Sequence, residues 1–562
     1  MHRQWLVSKT NAEFLRYLSQ RLSISNAFSQ ILINRGLTTQ EAIKEFLNPS
    51  LDNLQDPYLL PDMDKAVQRL KSAIRNNEGI LVHGDYDADG LTATALMVST
   101  LRSLGLKPLY HIPDRLKDGY GFNKDTVEMA KAYGIGLIMT VDCGITAFDE
   151  VLMANALGID VIITDHHEPS MAGIPDAFAV VNPKREDCRC KFKELSGVGV
   201  AFKIAQALLQ DSSNHSDAYQ LLDIVALGTV ADIVPLVSDN RVVVTHGLNA
   251  IDRGERVGIK AMLEASGFSN REINTGLLSF SLIPRINAMG RIANASAVVE
   301  LLLSDDMDRA IMVASELDEK NRERQRIEGT VYQEALSMLA MQDANGVIVL
   351  SSENWHPGVI GIVASRIAES FFRPTFLFSI KDGIAKGSAR SIPAFHLYNA
   401  LEKCQQLLIA YGGHKQAAGL RMQSDKLHAF KRTLNSIFMD SINKEDLSPR
   451  LNIDASIELQ DINLNLCKEI ALLEPFGTGN EEPILGARGL EILYPRIVGN
   501  NHLKMKLRQR FHTVDTIGFD MGDMLERLQD TKVDAAFTPC INNWEGGQSL
   551  QLNLKGIRPY VD

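Results

Sequence analysis

Three apolar runs, Ile80–Val82, Leu137–Val141 and Val161–Thr164, each stop at acidic or imidazole residues, with helix-length segments at 91–104, 123–133 and 147–157 around them. Strands buried on both faces read as continuous apolar runs, so this β-α-β-α order predicts a parallel sheet covered by helices. Ligands of such open sheets bind beyond the carboxyl ends of the strands. The polar residues of this chain cluster at those ends.

The first run leads into His83-Gly84-Asp85-Tyr86-Asp87-Ala88-Asp89-Gly90, which packs one imidazole and three carboxylates into eight residues. The second ends in Asp142-Cys143-Gly144, and the third in Asp165-His166-His167-Glu168. A further acid, Asp232, closes the apolar stretch Leu227–Ala231; read alone it is a helix-end acid. A solvated acidic turn is the plain alternative for 83–90, whereas a calcium loop is disfavoured because no Glu stands at the closing position. Together the donors are oxygen and nitrogen without sulfur, which favours Mn²⁺ or Mg²⁺ over Zn²⁺. They suffice for two ions about 4 Å apart sharing a carboxylate, the arrangement of two-metal phosphoryl transfer.

The chain of 562 residues is long enough for several domains. Helical periodicity and caps mark 1–75 as an N-terminal helical cap, followed by the α/β domain at 76–303. Residues 304–345 read as a connecting long helix, since 304–342 lacks Pro, has one Gly and is dense in charge around 316–328. A second, smaller α/β unit at 346–449 follows from Val347–Leu350, a helix near 358–370 and Pro374–Phe378. Alternating strands such as Leu490–Leu493, His502–Leu507 and Ser549–Leu554 place a small β-barrel at 450–562.

Hydrophobic residues at 45% and charged residues at 23% fit a folded globular chain, and no run reaches a spanning helix or an apolar leader. Six cysteines at 143, 188, 190, 404, 467 and 540 are few, and Cys188-Arg-Cys190 lacks zinc-knuckle spacing, so reduced thiols in a cytoplasmic protein are expected, with no membrane partner. The net charge of −11 argues against an indiscriminate coat on polyanions and calls for local basic grooves. Lys381–Arg421 holds six basic residues against two acidic, and Tyr494–Arg510 five against none. Alternation puts Lys504, Lys506, Arg508 and Arg510 on one strand face. Gly387-Ser388 and Gly412-Gly413-His414 allow close backbone approach to a phosphate, with Arg390 offering a fork of donors. Tyr494, Phe511 and Trp544 are candidate stacking platforms, although aromatic residues more often fill cores.

These motifs stand in the order of a known family. HGDYDADG, VDCG, DHH and GTVAD resemble the DHH phosphoesterase superfamily, and Gly387–Ser391 and Gly412–Gly419 resemble its DHHA-type substrate domain. With Pro284–Arg291, the Trp355–Gly358 turn and Pro475–Asn480, the likeness to RecJ-type single-strand-specific DNA exonucleases covers nearly the whole chain. The resemblance implies a parallel-sheet DHH domain joined by a long helix to a smaller DHHA-type domain, with a C-terminal OB-like barrel. It implies His83, Asp87 and Asp142 at one metal site and Asp89, Asp142, His166 and Asp232 at the other, with Asp142 as the bridge. His167 would face the scissile phosphate and Asp165 orient imidazoles, while Asp85 stays open between ligand and support.

By the same resemblance Ser388, Arg390, Gly412, Gly413 and His414 grip a 5′-terminal phosphate, with Arg285, Asn287 and Arg291 assisting and Lys504 and Lys506 on the barrel track. The implied activity is 5′→3′ degradation of single-stranded DNA to 5′-mononucleotides in recombination and repair, through a channel between lobes too narrow for duplex. A helicase and a single-strand-binding protein are the candidate partners. The alternatives are a DHH phosphatase acting on short oligonucleotides or nucleotide phosphates, and a non-enzymatic scaffold, which the intact ligand set disfavours.

Overall fold

A computed structural model describes residues 4–115, 119, 121–210, 215–341, 346–528, 532–542 and 549–560. The chain divides into two compact units. The larger contains Trp5–Ile283, Val298–Ala310 and the chain from Leu451 on; the smaller contains Pro284–Ala297 and Ile311–Arg450.

In the larger unit the three apolar runs are the middle of a five-stranded sheet, ordered Leu109–His111, Ile80–His83, Leu137–Val141, Asp160–Thr164, Ala179–Val181, and every pairing is parallel. The three inner strands are those expected. The flanking strands have three residues each, too few to carry a periodicity in sequence. Asp87 caps the helix Ala88–Ser103 by accepting from the N–H groups of Asp89 and Gly90 at 3.0 and 3.1 Å. That helix, Gly197–Leu209 and Leu222–Ala231 are apolar nearly all round and buried, as a central helix must be. They pack so closely that a Cβ on Gly228 would lie 2.2 Å from Thr92 Oγ1 and 2.7 Å from Val198.

The barrel strands run Leu485–Val498, His502–Gln509, His512–Gly518, Ser549–Pro559 and Val533–Asn542. The last pairs back onto the first, so the ring is closed and has no open edge. The strands are longer than the sequence signalled, and the first bends at a bulge between Leu493 and Arg496. At the N-terminus a strand, Gln4–Val7, precedes the expected helices. Those helices do not pack by themselves: Leu18, Phe28, Ile31, Leu32 and Ile43 share one hydrophobic core with Leu466, Leu485, Leu503 and Phe537 of the barrel region. Ser25 N–H donates to Glu469 Oε1 at 2.9 Å across 444 positions of sequence.

The smaller unit holds a mixed sheet ordered Ala410–Gly413, Ala417–Gln423, Ile384–Arg390, Thr375–Lys381, Ile348–Ser352, of which only the last two pair in parallel. Phe376 and Phe378 meet Phe430 edge-on in its core. The expected long helix runs Met307–Ala340, 34 residues. Its Val331, Ala335 and Leu339 pack with Ile360, Val363 and Ile367 of the helix Ile360–Phe371.

One buried cation ties the larger unit together. Arg241, on the helix Ser238–Arg253, is 2% exposed and has no carboxylate partner among the described residues. Its guanidinium donates to the carbonyls of Phe46, Leu472, Leu473 and Glu474 at 2.8–3.2 Å and lies 4.0 Å from the Phe46 ring. Burial, with the charge of Arg35 adding, lowers its pKa to about 10. Arg241→Met would leave four carbonyls without their donor, and we expect a loss of about 3 kcal/mol or more. A denaturant midpoint equal to that of the wild type would contradict this account.

Candidate metal centre and nucleic-acid faces

The strand ends converge as their sequence positions suggest. Asp85 and Asp87 follow the first central strand, Asp142 the second, and Asp165, His166 and His167 the third, while Asp232 ends the helix Leu222–Ala231. Donor atoms fall into three groups, each compact enough to hold one ion: Asp85 with Asp87 and Asp142, Asp89 with His166 and Asp232, and Asp142 with His166 and His167. Asp142 and His166 each belong to two groups and so join them.

Several of these atoms are buried without a hydrogen-bond partner: Asp85 Oδ1, Asp142 Oδ1 and His166 Nε2. The latter two lie 3.1 Å apart, and His166 stands 3.6 Å from Asp232 and 3.9 Å from Asp89. Burial, then the neighbouring carboxylates, push Asp85, Asp89 and Asp142 well above the usual carboxylate range and Asp232 up to about 7. Burial holds His166 below its ordinary value, which keeps the imidazole neutral as a ligand requires. Orphaned lone pairs amid acids that cannot all ionise fit divalent cations bound by oxygen and nitrogen.

Backbone groups complete the pocket. Asp89 accepts from the N–H groups of Gly197 and Val198 at 2.6 and 2.8 Å, at the start of a helix capped by Ser196. A Cβ on Gly197 would sit 2.3 Å from Asp142 Oδ1, so only glycine admits the carboxylate there. Asp142 itself has φ +61. The reading of the sequence passed over Gly197 and Val198. Ser196-Gly197-Val198-Gly199 ahead of an apolar run is an N-cap signature that could have located them.

At two residues the geometry departs from the expectation. His83 joins none of the ligand groups: its Nε2 faces the Gly121 carbonyl at 3.2 Å and its Nδ1 the Thr126 hydroxyl at 3.0 Å. Both ring nitrogens face protein groups, and burial lowers its pKa to about 3. Asp165 orients one imidazole rather than both. Its Oδ1 accepts from His167 Nδ1 at 2.7 Å but reaches His166 only through the backbone N–H, while Oδ2 accepts from Ile145 N–H. Burial opposes charge on His167, yet the hydrogen bond and charge of Asp165 prevail and raise it to about 9. Asp85, left open, stands with Asp87 and Asp142 among the donors.

On the smaller unit Arg285, Asn287 and Arg291 lie on the helix Ile283–Ile292. Arg285 is held by Asp318 at 2.7 Å, and Arg291 donates to the Gly358 carbonyl at 3.0 Å. In the sheet Gly412 pairs with Gly419, which pairs with Ser388, giving a row across three strands with almost no side chain. Gly413 follows with φ +140, and His414 is exposed in the turn beyond. Arg390, at the end of its strand, donates to the Ala389 carbonyl and approaches Ser388 Oγ at 3.4 Å.

On the barrel Leu503, Met505 and Leu507 point inward and Lys504, Lys506 and Arg508 outward, as alternation requires. The four-cation stripe is nevertheless shorter and less positive than expected. Arg510 leaves the strand in a turn at φ +54, and acids from elsewhere meet the cations: Asp515 stands 3.5 Å from Lys506, Glu491 binds Arg508, and Glu458 lies 3.9 Å from Arg510. Lys504 has no ion pair among the described residues, and it pairs across the ladder with Arg496. Tyr494, at φ +53 on the bulge, is 75% exposed, and Phe511 is fully exposed, so neither fills the core; Trp544 lies outside the described residues.

Family models match three parts of the chain: the DHH family N-terminal domain at 79–229, the DHHA1 domain at 343–440 and the RecJ OB domain at 453–556. Among curated proteins the chain is 38% identical to the single-stranded-DNA-specific exonuclease RecJ of Bacillus subtilis, over 98% of this chain and 70% of that one. It is 37% identical to RecJ of Salmonella typhimurium, over 89% of this chain and 91% of that one. The solved structure of RecJ from Thermus thermophilus in complex with Mn²⁺ superposes with a TM-score of 0.87 at 31% identity, covering 100% of this chain and 80% of that one. The corresponding Mg²⁺ complex gives 0.79. With the carboxylate and imidazole donors gathered at the strand ends and all three domain types in sequence, the chain belongs to the RecJ family of single-stranded-DNA-specific exonucleases.

Proposed function

We propose that this chain is a metal-dependent exonuclease that degrades single-stranded DNA from the 5′ end to 5′-mononucleotides, in recombination and repair. The observation that carries the reading is the gathering of Asp85, Asp87, Asp89, Asp142, His166 and Asp232 around orphaned, buried lone pairs. Asp85, Asp87 and Asp142 would hold one ion and Asp89, His166, Asp232 and Asp142 the other, both Mn²⁺ or Mg²⁺. Such a pair supplies an activated water for in-line attack and charge for the departing 3′ oxygen.

The protein's own groups do the positioning. Gly197 and Val198 fix the Asp89 carboxylate, and Asp165 fixes the His167 ring through its Nδ1. A raised pKa keeps a proton on that ring, where it can be donated to a phosphoryl oxygen. The side-chain-poor row at Ser388, Gly412 and Gly413, with Arg390 and His414, would receive the terminal phosphate, and Arg285, Asn287 and Arg291 would assist. Lys504, with Arg496 opposite and Tyr494 on the bulge, offers the barrel's phosphate and stacking contacts. A phosphatase for short oligonucleotides needs only the two α/β units, and the closed barrel supports a polymeric substrate. No helix among the described residues is long and apolar enough to cross a membrane, and a cytoplasmic site of action with a helicase and a single-strand-binding protein completes the proposal.

End-labelled single strands carrying either label, digested with and without chelator, test the activity directly. Release of the 5′ label first, only with metal, is expected, and a blunt duplex should resist; early loss of the 3′ label would reverse the assigned polarity. Asp142→Asn should lower hydrolysis by about a hundredfold or more while strand binding persists. Because burial and the neighbouring carboxylates raise Asp232 to about 7 and hold Asp142 well above the usual carboxylate range, protons compete with the ions below neutrality. Mn²⁺ added in weak buffer at about pH 6.5 should therefore release protons, and its affinity should rise with pH through neutrality; uptake without proton release would contradict the acid cluster as the site. Finally, Lys504→Ala should reduce the log–log salt slope of strand binding by about one.

A further inference from the structure

The motif Pro475-Phe476-Gly477-Thr478-Gly479-Asn480 contains no charged residue and supplies no donor to the metal centre. It lies at the barrel end of the chain, yet it grips the segment that follows Asp232. Leu236 N–H donates to the Thr478 carbonyl at 2.8 Å. Gly477 and Gly479 press on Leu236 and Pro235: a Cβ on Gly477 would sit 2.6 Å from Leu236 Cδ1, and one on Gly479 3.1 Å from Pro235 Cβ.

The loop is itself held rigid. Asn480 is fully buried, its Nδ2 donates to the carbonyls of Leu473 and Pro475 at 2.7 and 2.8 Å, and its Oδ1 accepts from Arg35 Nε at 2.8 Å. Arg241 binds the three carbonyls just before the loop, and Asn240 beside it donates to the Pro235 carbonyl at 3.1 Å. Pro235 and Leu236 are therefore fixed from both sides.

Between this clamp and Asp232 stands Ile233 with φ +61, a left-handed conformation that a β-branched residue rarely adopts, with its side chain 70% exposed. No side-chain packing explains that turn. Such a conformation persists where the surroundings over-determine it. The turn directs the chain from Asp232, at the end of its helix, into the clamped Pro235–Leu236 segment.

We infer that the 475–480 loop of the barrel domain is a positioning element for the candidate metal ligand Asp232, so that the barrel domain helps to form the metal centre as well as contacting nucleic acid. The inference rests on the reading of Asp232 as a ligand. It also means that removing residues 450–562 would damage the metal centre and would not isolate strand binding.

The test is Mn²⁺ binding to the full chain, followed by the electron paramagnetic resonance signal of free Mn²⁺, in Asp232→Asn, Asn480→Asp and Leu552→Ala, with strand affinity measured in chelator. Leu552 lies in the barrel core, and its variant controls for general loss of stability. Asn480→Asp sets an oxygen against two carbonyls without changing size; it should weaken Mn²⁺ binding about tenfold, the lower range for groups that orient ligands. Leu552→Ala, compared at equal distance below its melting midpoint, should bind Mn²⁺ as the wild type does. Wild-type Mn²⁺ affinity in Asn480→Asp, or equal weakening in Leu552→Ala, would overturn the inference. Should Asn480→Asp not fold, Gly477→Ala, which pushes on Leu236, is judged by the same criteria. Wild-type Mn²⁺ affinity in Asp232→Asn would remove the ligand assignment itself, a failure distinct from that of the brace.

Discussion

The structure is organised around carboxylates that have been taken out of water and brought within a few ångströms of one another. Buried acids at such spacing repel, and the protein answers with raised pKa values, helix N-terminal amides aimed at Asp89, and a glycine, Gly197, that leaves room for the carboxyl of Asp142. A divalent ion resolves the remaining repulsion. The apolar helices around the pocket bury Asp85, Asp89 and Asp142, and that burial strengthens the electrostatic interactions among them.

Much of this was legible in sequence because the relevant signals are local. An apolar run followed by acids is visible at 80–89, 137–142 and 161–167, and the structure places those strands side by side. Asp232 was harder, since a single acid after an apolar helix reads as a cap, and its membership in the centre depends on tertiary packing. His83 shows the opposite relation between motif and packing. It sits in the same motif as Asp85 and Asp87, but as the last residue of the strand its ring points among Gly121 and Thr126, and no spacing rule reports which neighbours a strand residue meets.

Charge patterns were legible only in one dimension. The alternation of 503–508 gave the inward and outward faces of the strand, but the partner acids at 458, 491 and 515 arrive from other segments and reduce the expected field. The exposed Tyr494 could not be foreseen from composition, because its exposure depends on the bulge that turns it outward. Motifs such as Pro475–Asn480 carry information of another kind, the shape needed to fit one segment against another.

The core shared by the N-terminal helices and the barrel has a consequence for biosynthesis. Ser25 leaves the ribosome 444 residues before Glu469, which it contacts. At typical elongation rates that interval lasts roughly 20 to 90 s. Throughout it Phe28, Ile31 and Leu32 await the surface that will cover them. The nascent chain must therefore shelter this apolar face, by provisional packing or with a chaperone, until the barrel segments from Leu466 onward have emerged.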